Sequence, residues 1–384
     1  MYSYLVKLST LLLLIATAPA YGQTPAPSEE EKILAVINDY IEGTAYNNPE
    51  QLLSAFLPGA NMFLDKQGEP LFVRTIEEYA KGVGKGEKGV FNGRVTNVLS
   101  VDQFEGIATA KLEVIIPGFG RRFIDMLLLK KLTDGWKIIS KTAGSEASNR
   151  QGDKVLIVTS SASKHGQENI ATGNSFSEVC LSYFEYQTAG YHVDFVSPKG
   201  GKIPLSYIDP SDEEHMNALY NPDFMYAIAQ SKKPSQIDPS QYDIILYTGG
   251  SAPIFDIPQN ADIQNIAAHI YEQNNGIVAA VCHGTAGIVN IRTSNGSYLI
   301  QGKKVNGFPE EFENKKSKVY QNFPFIIQNK VEENGGTFTY GEKAKPYHIV
   351  DGRLVTGQNF RSSKVVAQKS IELHKKMEGT QENQ

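Results

Sequence analysis

The chain has 384 residues, 41% hydrophobic and 21% charged, with 37 Lys+Arg against 42 Asp+Glu for a formal net charge of −5. That length predicts two domains, and the composition describes a soluble protein able to bury real cores. The acidic balance excludes a basic surface for nucleic acid, and Lys315-Lys316-Ser317-Lys318 reads as a solvated face.

The chain opens with Lys7, an apolar run Leu11 to Ile15, and small residues through Ala18, Ala20 and Gly22. This predicts a secretory signal peptide over residues 1–22, cleaved after Gly22, with Ala20 as the alternative. The run is too short to span a bilayer, and no cysteine follows it to carry a lipid anchor. The expected product is exported, periplasmic or secreted, and free of the membrane.

A proline-bearing linker, residues 24–28, precedes Ile33, Val36, Ile37, Tyr40 and Ile41 at helical spacing. Leu52, Leu53 and Phe56 continue as a second short helical pattern, followed by segments broken by Gly and Pro. Strands are predicted over 94–101, 106–116, 122–131 and 136–141, the last two joined by Thr133-Asp134-Gly135. Helices followed by an antiparallel meander make an α+β domain over residues 29–145. With Asn47-Asn48 before the second helix and Trp136-Lys137-Ile138 in the closing strand, it resembles the NTF2-like cone folds of the lumazine-binding type. The resemblance implies a binding or assembly role. Trp136 reads as core, and Gly82-Val83-Gly84-Lys85-Gly86 lacks the Lys-Ser/Thr ending of a phosphate loop.

The polar residues 144–153 mark the domain boundary. Beyond them short apolar runs, Val155 to Val158, His192 to Val196, Asp243 to Tyr247 and Ile277 to Val281, alternate with helical patterns over 176–189 and 263–272. This predicts a parallel sheet covered on both faces, with ligands at the carboxyl ends of its strands. Cys282-His283-Gly284 and Gly249-Gly250 lie at such ends. A strand feeding a tight turn and a helix start lifts a nucleophile out of the backbone, and the helix N-terminus favours a thiolate. His283, adjacent in sequence, is not expected to reach the sulfur. Cys180, two positions beyond Glu178, points away from it on a helix and reads as structural. The other histidines show no close metal-ligand spacing. His165 lies in the loop after the first strand, where it could overhang the site.

Several motifs carry a second resemblance. Thr172-Gly173 leads to Glu178; Gly190 to Pro198 is followed by Gly200-Gly201; Tyr242-Asp243 leads to Gly249-Gly250 and Phe255-Asp256. Ala280 to Gly284 is the elbow, Asn306-Gly307-Phe308 precedes acidic residues and Pro324-Phe325, and Asp351 to Asn359 closes the domain. Residues 154–376 thereby resemble the DJ-1/PfpI superfamily, in its Hsp31-like branch of chaperones and glutathione-independent glyoxalases. The resemblance implies a flavodoxin-like α/β sandwich of the class I glutamine amidotransferase type. It implies Cys282 as nucleophile, Glu178 as proton relay, and His283 paired with Glu313, or with Glu311 or Glu310 as alternatives. Gly249, Gly250 and Ser251 would form the oxyanion and substrate-binding turn, with Gly250 and His283 as backbone donors. Many members carry His-Gly where this chain has Ser251-Ala252, which points to a different substrate preference.

The expected activity is cysteine-dependent conversion of a small reactive carbonyl, methylglyoxal to lactate, with no cofactor and no metal. A non-enzymatic stress chaperone or redox sensor is the alternative, and an amidase or peptidase the third reading. A small carbonyl substrate and a second copy of the chain are the expected partners; nucleic acid and membrane are not.

Overall fold

The computed structural model describes residues 26–66 and 69–381. The predicted signal peptide lies outside them. The first helix, α1 (Glu29–Ala45), starts at a capping box in which Ser28 and Glu31 satisfy each other's backbone N–H groups. Ile33, Ile37 and Tyr40 recur on its buried face. Next come α2 (Pro49–Ala55), β1 (Phe56–Lys66), β2 (Glu69–Thr75) and α3 (Ile76–Val83), then β3 (Val95–Phe104), β4 (Ile107–Ile116), β5 (Arg121–Leu132) and β6 (Gly135–Ala147). The sheet order is β2-β1-β6-β5-β4-β3, with β1 parallel to β6 and the other pairs antiparallel.

The stretch read as Gly- and Pro-broken is two strands and a helix, and Phe56 opens a strand instead of closing a helix. Pro58-Gly59 lies at an irregularity between Phe56 and Asn61, where β1 changes register against β6, so the breakers bend the strand without ending it. One sheet face packs Leu112, Leu127, Leu129 and Ile138 against Ile33, Ile37 and Leu52. Trp136 joins this core at 3% exposure and donates to Glu29 Oε2 at 3.0 Å.

The second domain runs β7 (Lys154–Val158), α4 (Phe176–Thr188), β8 (His192–Val196), α5 (Pro222–Ala229), β9 (Ile244–Tyr247), α6 (Ala261–Glu272), β10 (Ile277–Val281), β11 (His348–Asp351), β12 (Leu354–Gly357) and α7 (Ser363–Gln381). The order is β11-β12-β10-β9-β7-β8. All neighbours are parallel except β11, an antiparallel edge strand paired with β12, so the sheet is mixed where a wholly parallel one was expected. One face packs under α4 and α7, the other under α6 and the segments after β10. Burial on both faces explains the continuous apolar runs of β7, β9 and β10.

The two domains touch. Helix α5 meets β3, Lys111 pairs with Asp223 at 2.8 Å, and buried Glu113 accepts from Arg122 and Arg150 at 2.5 and 2.6 Å. Tyr226 and Gln230 donate to Glu30 at the start of α1. No described helix is long and apolar enough to cross a membrane.

Candidate active site

At the end of β10 the backbone turns sharply. Cys282 has φ +57°, a left-handed conformation that costs a non-glycine residue about 1–3 kcal/mol. A short 3₁₀ turn, Cys282–Gly287, follows. Gly284 permits the turn, because a Cβ there would lie 2.3 Å from the Tyr247 carbonyl oxygen. Behind it, Thr285 donates to Asn306 O at 2.9 Å, and Phe308 N–H to Cys282 O at 3.2 Å. The Asn306-Gly307-Phe308 motif thus braces the elbow.

The positive φ brings the next side chain beside the sulfur: His283 Nδ1 is 3.5 Å from Cys282 Sγ. This corrects the expectation that His283 cannot reach it, which assumed an extended path through the turn. His283 Nε2 is 2.7 Å from Glu313 Oε1. With the carboxylate as acceptor, Nε2 carries the hydrogen and Nδ1 is left to accept the thiol proton. The imidazole stacks on Phe308 at 4.8 Å between centroids and meets the edge of Phe323 at 5.4 Å. The alternates to Glu313 are engaged elsewhere. Glu310 binds Lys315 and the Tyr320 hydroxyl, and Glu311 accepts from Tyr340.

Glu178 lies in the first turn of α4, 1% exposed. Its Oε2 accepts from Gly249 N–H at 2.7 Å. A Cβ on Gly249 would come within 3.0 Å of Glu178 Oε2, Cys282 Cβ and His283 N at once, so this glycine is the point where the three meet. Burial raises the Glu178 carboxyl to about 7, against the lowering influence of Gly249 N–H, Cys282 and His283. Burial, and then the Glu178 charge, push the Cys282 thiol well above its ordinary value. That reverses the expectation of a helix-stabilised thiolate: the short 3₁₀ turn does not offset desolvation.

The turn after β9 divides its roles. Gly249 N–H is committed to Glu178, so it positions the acid. Gly250, at φ +88°, lies against Gly173 O and Ser175 N, where a Cβ would come to 2.5 Å of each. Ser251 Oγ is 2.8 Å from Thr172 Oγ1 and 3.3 Å from His165 Nε2. His165 therefore does lie over this turn, buried, and burial lowers its pKa. Asp256 accepts from Ser160 Oγ and Ser161 N–H at 2.6 and 2.8 Å, tying the loop after β7 to the segment after β9. Cys180 is a free, buried thiol raised to about 12 by burial, donating to Ser177 O at 3.6 Å.

A narrow cleft opens beside His283, lined by Ile254, Phe308, Glu310, Glu313, Tyr320 and Phe323. A larger hollow of about 750 Å³, lined by Pro258, Gln264, Asn290 and Arg292, holds none of these groups. Among the described residues, Asp153, His374 and Glu378 bring ligand atoms within 4.8 Å of one another. They lie at the amino end of β7, across the sheet from Cys282, and His374 Nδ1 there meets the Tyr191 hydroxyl at 2.7 Å. Spacing from Gly307-Phe308 puts Glu313 first among the three acids in the sequence, and it is the one hydrogen-bonded to His283. Nothing local in the sequence pointed to the reach of His283, which depends on one dihedral angle.

Residues 168–373 match the family model described as DJ-1/PfpI, and residues 28–142 match the one described as "Putative lumazine-binding". A Saccharomyces cerevisiae protein named "Probable glutathione-independent glyoxalase HSP32" is 32% identical over 218 residues, covering 52% of this chain and 90% of the relative. Among solved structures, the Rapid Encystment Protein 24 KDa of Francisella tularensis superposes with a TM-score of 0.54 at 28% identity, covering 58% of this chain and 99% of that one. Glyoxalase III from Candida albicans superposes at 0.52 with 27% identity, over 58% and 97% of the two chains.

Proposed function

The chain belongs to the DJ-1/PfpI family, and from that we propose that its second domain is a glutathione-independent glyoxalase converting a small 2-oxoaldehyde, methylglyoxal, to the 2-hydroxy acid lactate. One observation carries the reading. A single thiol stands between two proton acceptors of different kinds, His283 Nδ1 at 3.5 Å and a buried carboxyl poised at about 7. The reaction needs both: one group to free the thiol, another to move a proton between adjacent carbons. The glyoxalases among its relatives support the same class.

His283 takes the thiol proton as Sγ bonds to the aldehyde carbon, and returns it to the oxygen, giving a hemithioacetal. Glu178 as carboxylate removes the hydrogen on that carbon, and the electron pair forms an enediol. The hydroxyl proton on the sulfur-bearing carbon passes to the former ketone oxygen as Glu178 returns its proton to the neighbouring carbon, leaving the thioester of a 2-hydroxy acid. Water adds, the C–S bond breaks, and the thiol regains its proton through His283. The aldehyde carbon is oxidised and the ketone carbon reduced, so no external electron acceptor is required.

The proposal extends to location and assembly. The leader-like residues 1–22 would deliver the enzyme outside the cytoplasm. Self-association would use the outer face of the first sheet, where Leu71, Val73, Met126 and Leu128 are exposed. A second reading, hydrolysis of an amide or peptide, is favoured by the Cys282–His283–Glu313 hydrogen-bonded series. One experiment separates them: purified protein without thiols is given methylglyoxal, and lactate is followed beside a Cys282→Ala sample. Lactate from the wild type alone is expected. Equal methylglyoxal loss in both samples would sink the glyoxalase reading. Release of amine from small amides, with no lactate, would replace it by the hydrolase.

A further inference from the structure

The apolar core of the first domain ends in charge. Beyond Leu127 and Ile138 on the helix-covered face of the sheet come Asp125 on β5 and Lys141 on β6, 1% and 3% exposed. Tyr40 of α1, fully buried, donates to Asp125 Oδ2 at 2.6 Å and accepts from Lys141 Nζ at 2.7 Å. Lys141 also pairs with Asp125 directly at 2.6 Å. Beside this triangle, Arg94 Nη1 donates to the Tyr79 hydroxyl at 3.1 Å. Thr96 follows Arg94 by two positions on the same face of β3, one register row beyond Asp125.

Two features set this cluster apart from an ordinary buried ion pair. Its charges do not balance: Lys141 and Arg94 face one carboxylate, Asp125. The field is strong enough to hold the Tyr79 phenol below its ordinary value, although burial alone would raise it. Its hydrogen bonding is also incomplete. Asp125 Oδ1, Arg94 Nε and Thr96 Oγ1 are all buried and without a partner. A buried polar atom left unpaired costs about 1–3 kcal/mol, and three on neighbouring rows of one sheet face point to something that completes them. The unmet needs are one acceptor, one cationic donor and one hydroxyl. Arg94 and Tyr79 are the partly exposed members of the cluster.

From these unmet groups we infer that the first domain binds a small 2-hydroxycarboxylate at this cluster. The carboxylate neutralises the excess cation and accepts from Arg94 Nε and Thr96 Oγ1, while the ligand hydroxyl donates to Asp125 Oδ1. A simple carboxylate leaves Asp125 unsatisfied, and a neutral alcohol leaves the charge unbalanced. The inference stands on the cluster alone and survives failure of the catalytic reading. If both hold, the first domain captures the class of product that the second releases.

The test uses full-length Cys282→Ala, so that no turnover at the elbow contributes. Sodium lactate and sodium acetate are titrated separately, followed by heat and by the emission of Trp136, the chain's one tryptophan, in the same core. Lactate is expected to saturate, with acetate binding at least about fivefold more weakly for want of the hydroxyl. Arg94→Met is expected to lose about tenfold or more in lactate affinity, with Arg94→Lys recovering part of it. Absence of saturation, equal binding of the two anions, or unchanged affinity in Arg94→Met each overturns the inference. If Arg94→Met fails to fold, Thr96→Val takes its place, with a fewfold loss expected and unchanged affinity again overturning it.

Discussion

At the scale of single residues, the Glu178 proton couples chemistry to stability. Its carboxyl titrates near 7 in the fold against 4.5 ordinarily. Between those values the folded protein holds more protons than the unfolded chain, so stability falls as pH rises from about 4.5 to 7 and levels off above. The whole span is worth about 3 kcal/mol. Glu178→Gln keeps an acceptor for Gly249 N–H without the buried charge. It should melt higher than wild type at pH 8 and lose that advantage by pH 5, as scanning calorimetry would show. Activity should move the other way. Wild-type kcat/KM is expected to climb through pH 7 as the carboxylate appears, whereas Glu178→Gln should fall by about 10²–10⁴ and lose that limb. The paired acid gives a third outcome. Glu313→Gln leaves Nε2–H of His283 a weaker acceptor and should cut kcat about tenfold or more. Glu311→Gln, whose partner Tyr340 does not line the cleft beside His283, should match wild type in the same assay.

At the scale of elements, the elbow depends on the close fit of two strand ends. Gly284→Ala would put a methyl carbon 2.3 Å from the Tyr247 carbonyl, a backbone atom at the end of β9 that cannot step aside. A cost above about 2 kcal/mol is expected, read as a lowered urea midpoint with an unchanged slope. Strands buried on both faces were legible in the sequence because β7, β9 and β10 are unbroken apolar runs. The antiparallel meander was legible through its alternation and its Asp134-Gly135 turn. Strands β1 and β2 were not: Pro58, Gly59 and Pro70 carry turn signals, which the pairing of β1 with β6 and of β2 with β1 overrides. The site was legible where motif spacing carried it, at Glu178, Gly249, Cys282 and Glu313. The charged end of the first domain was not, since Tyr40, Arg94, Asp125 and Lys141 come from four distant segments with no shared local pattern.

At the scale of the whole molecule, the domains are joined by polar contacts that a test can loosen. Glu113 sits nearly buried between Arg122 and Arg150; burial would raise its carboxyl, but the two guanidinium groups hold it below its usual range. A depressed carboxyl stabilises the fold above its ordinary value and loses that contribution as pH falls through the folded one. Glu113→Gln leaves two arginines without their anion and should cost about 1–3 kcal/mol at neutral pH, discounted for their partial exposure. Calorimetry should then show the first domain melting ahead of the second; one unsplit, unshifted transition would contradict this. The strand order carries a consequence for how the enzyme comes into being. Strand β10, which delivers Cys282, is flanked by β9 and by β12, and β12 is the last strand among the described residues. A ribosome releases β12 some seventy residues after the thiol has emerged. Until then β10 lacks one neighbour, and the elbow lacks the Thr356 hydroxyl that accepts from Asn306 N–H at 2.9 Å. A chain interrupted before β12 therefore presents Cys282 on a strand with one open edge and an unbraced elbow.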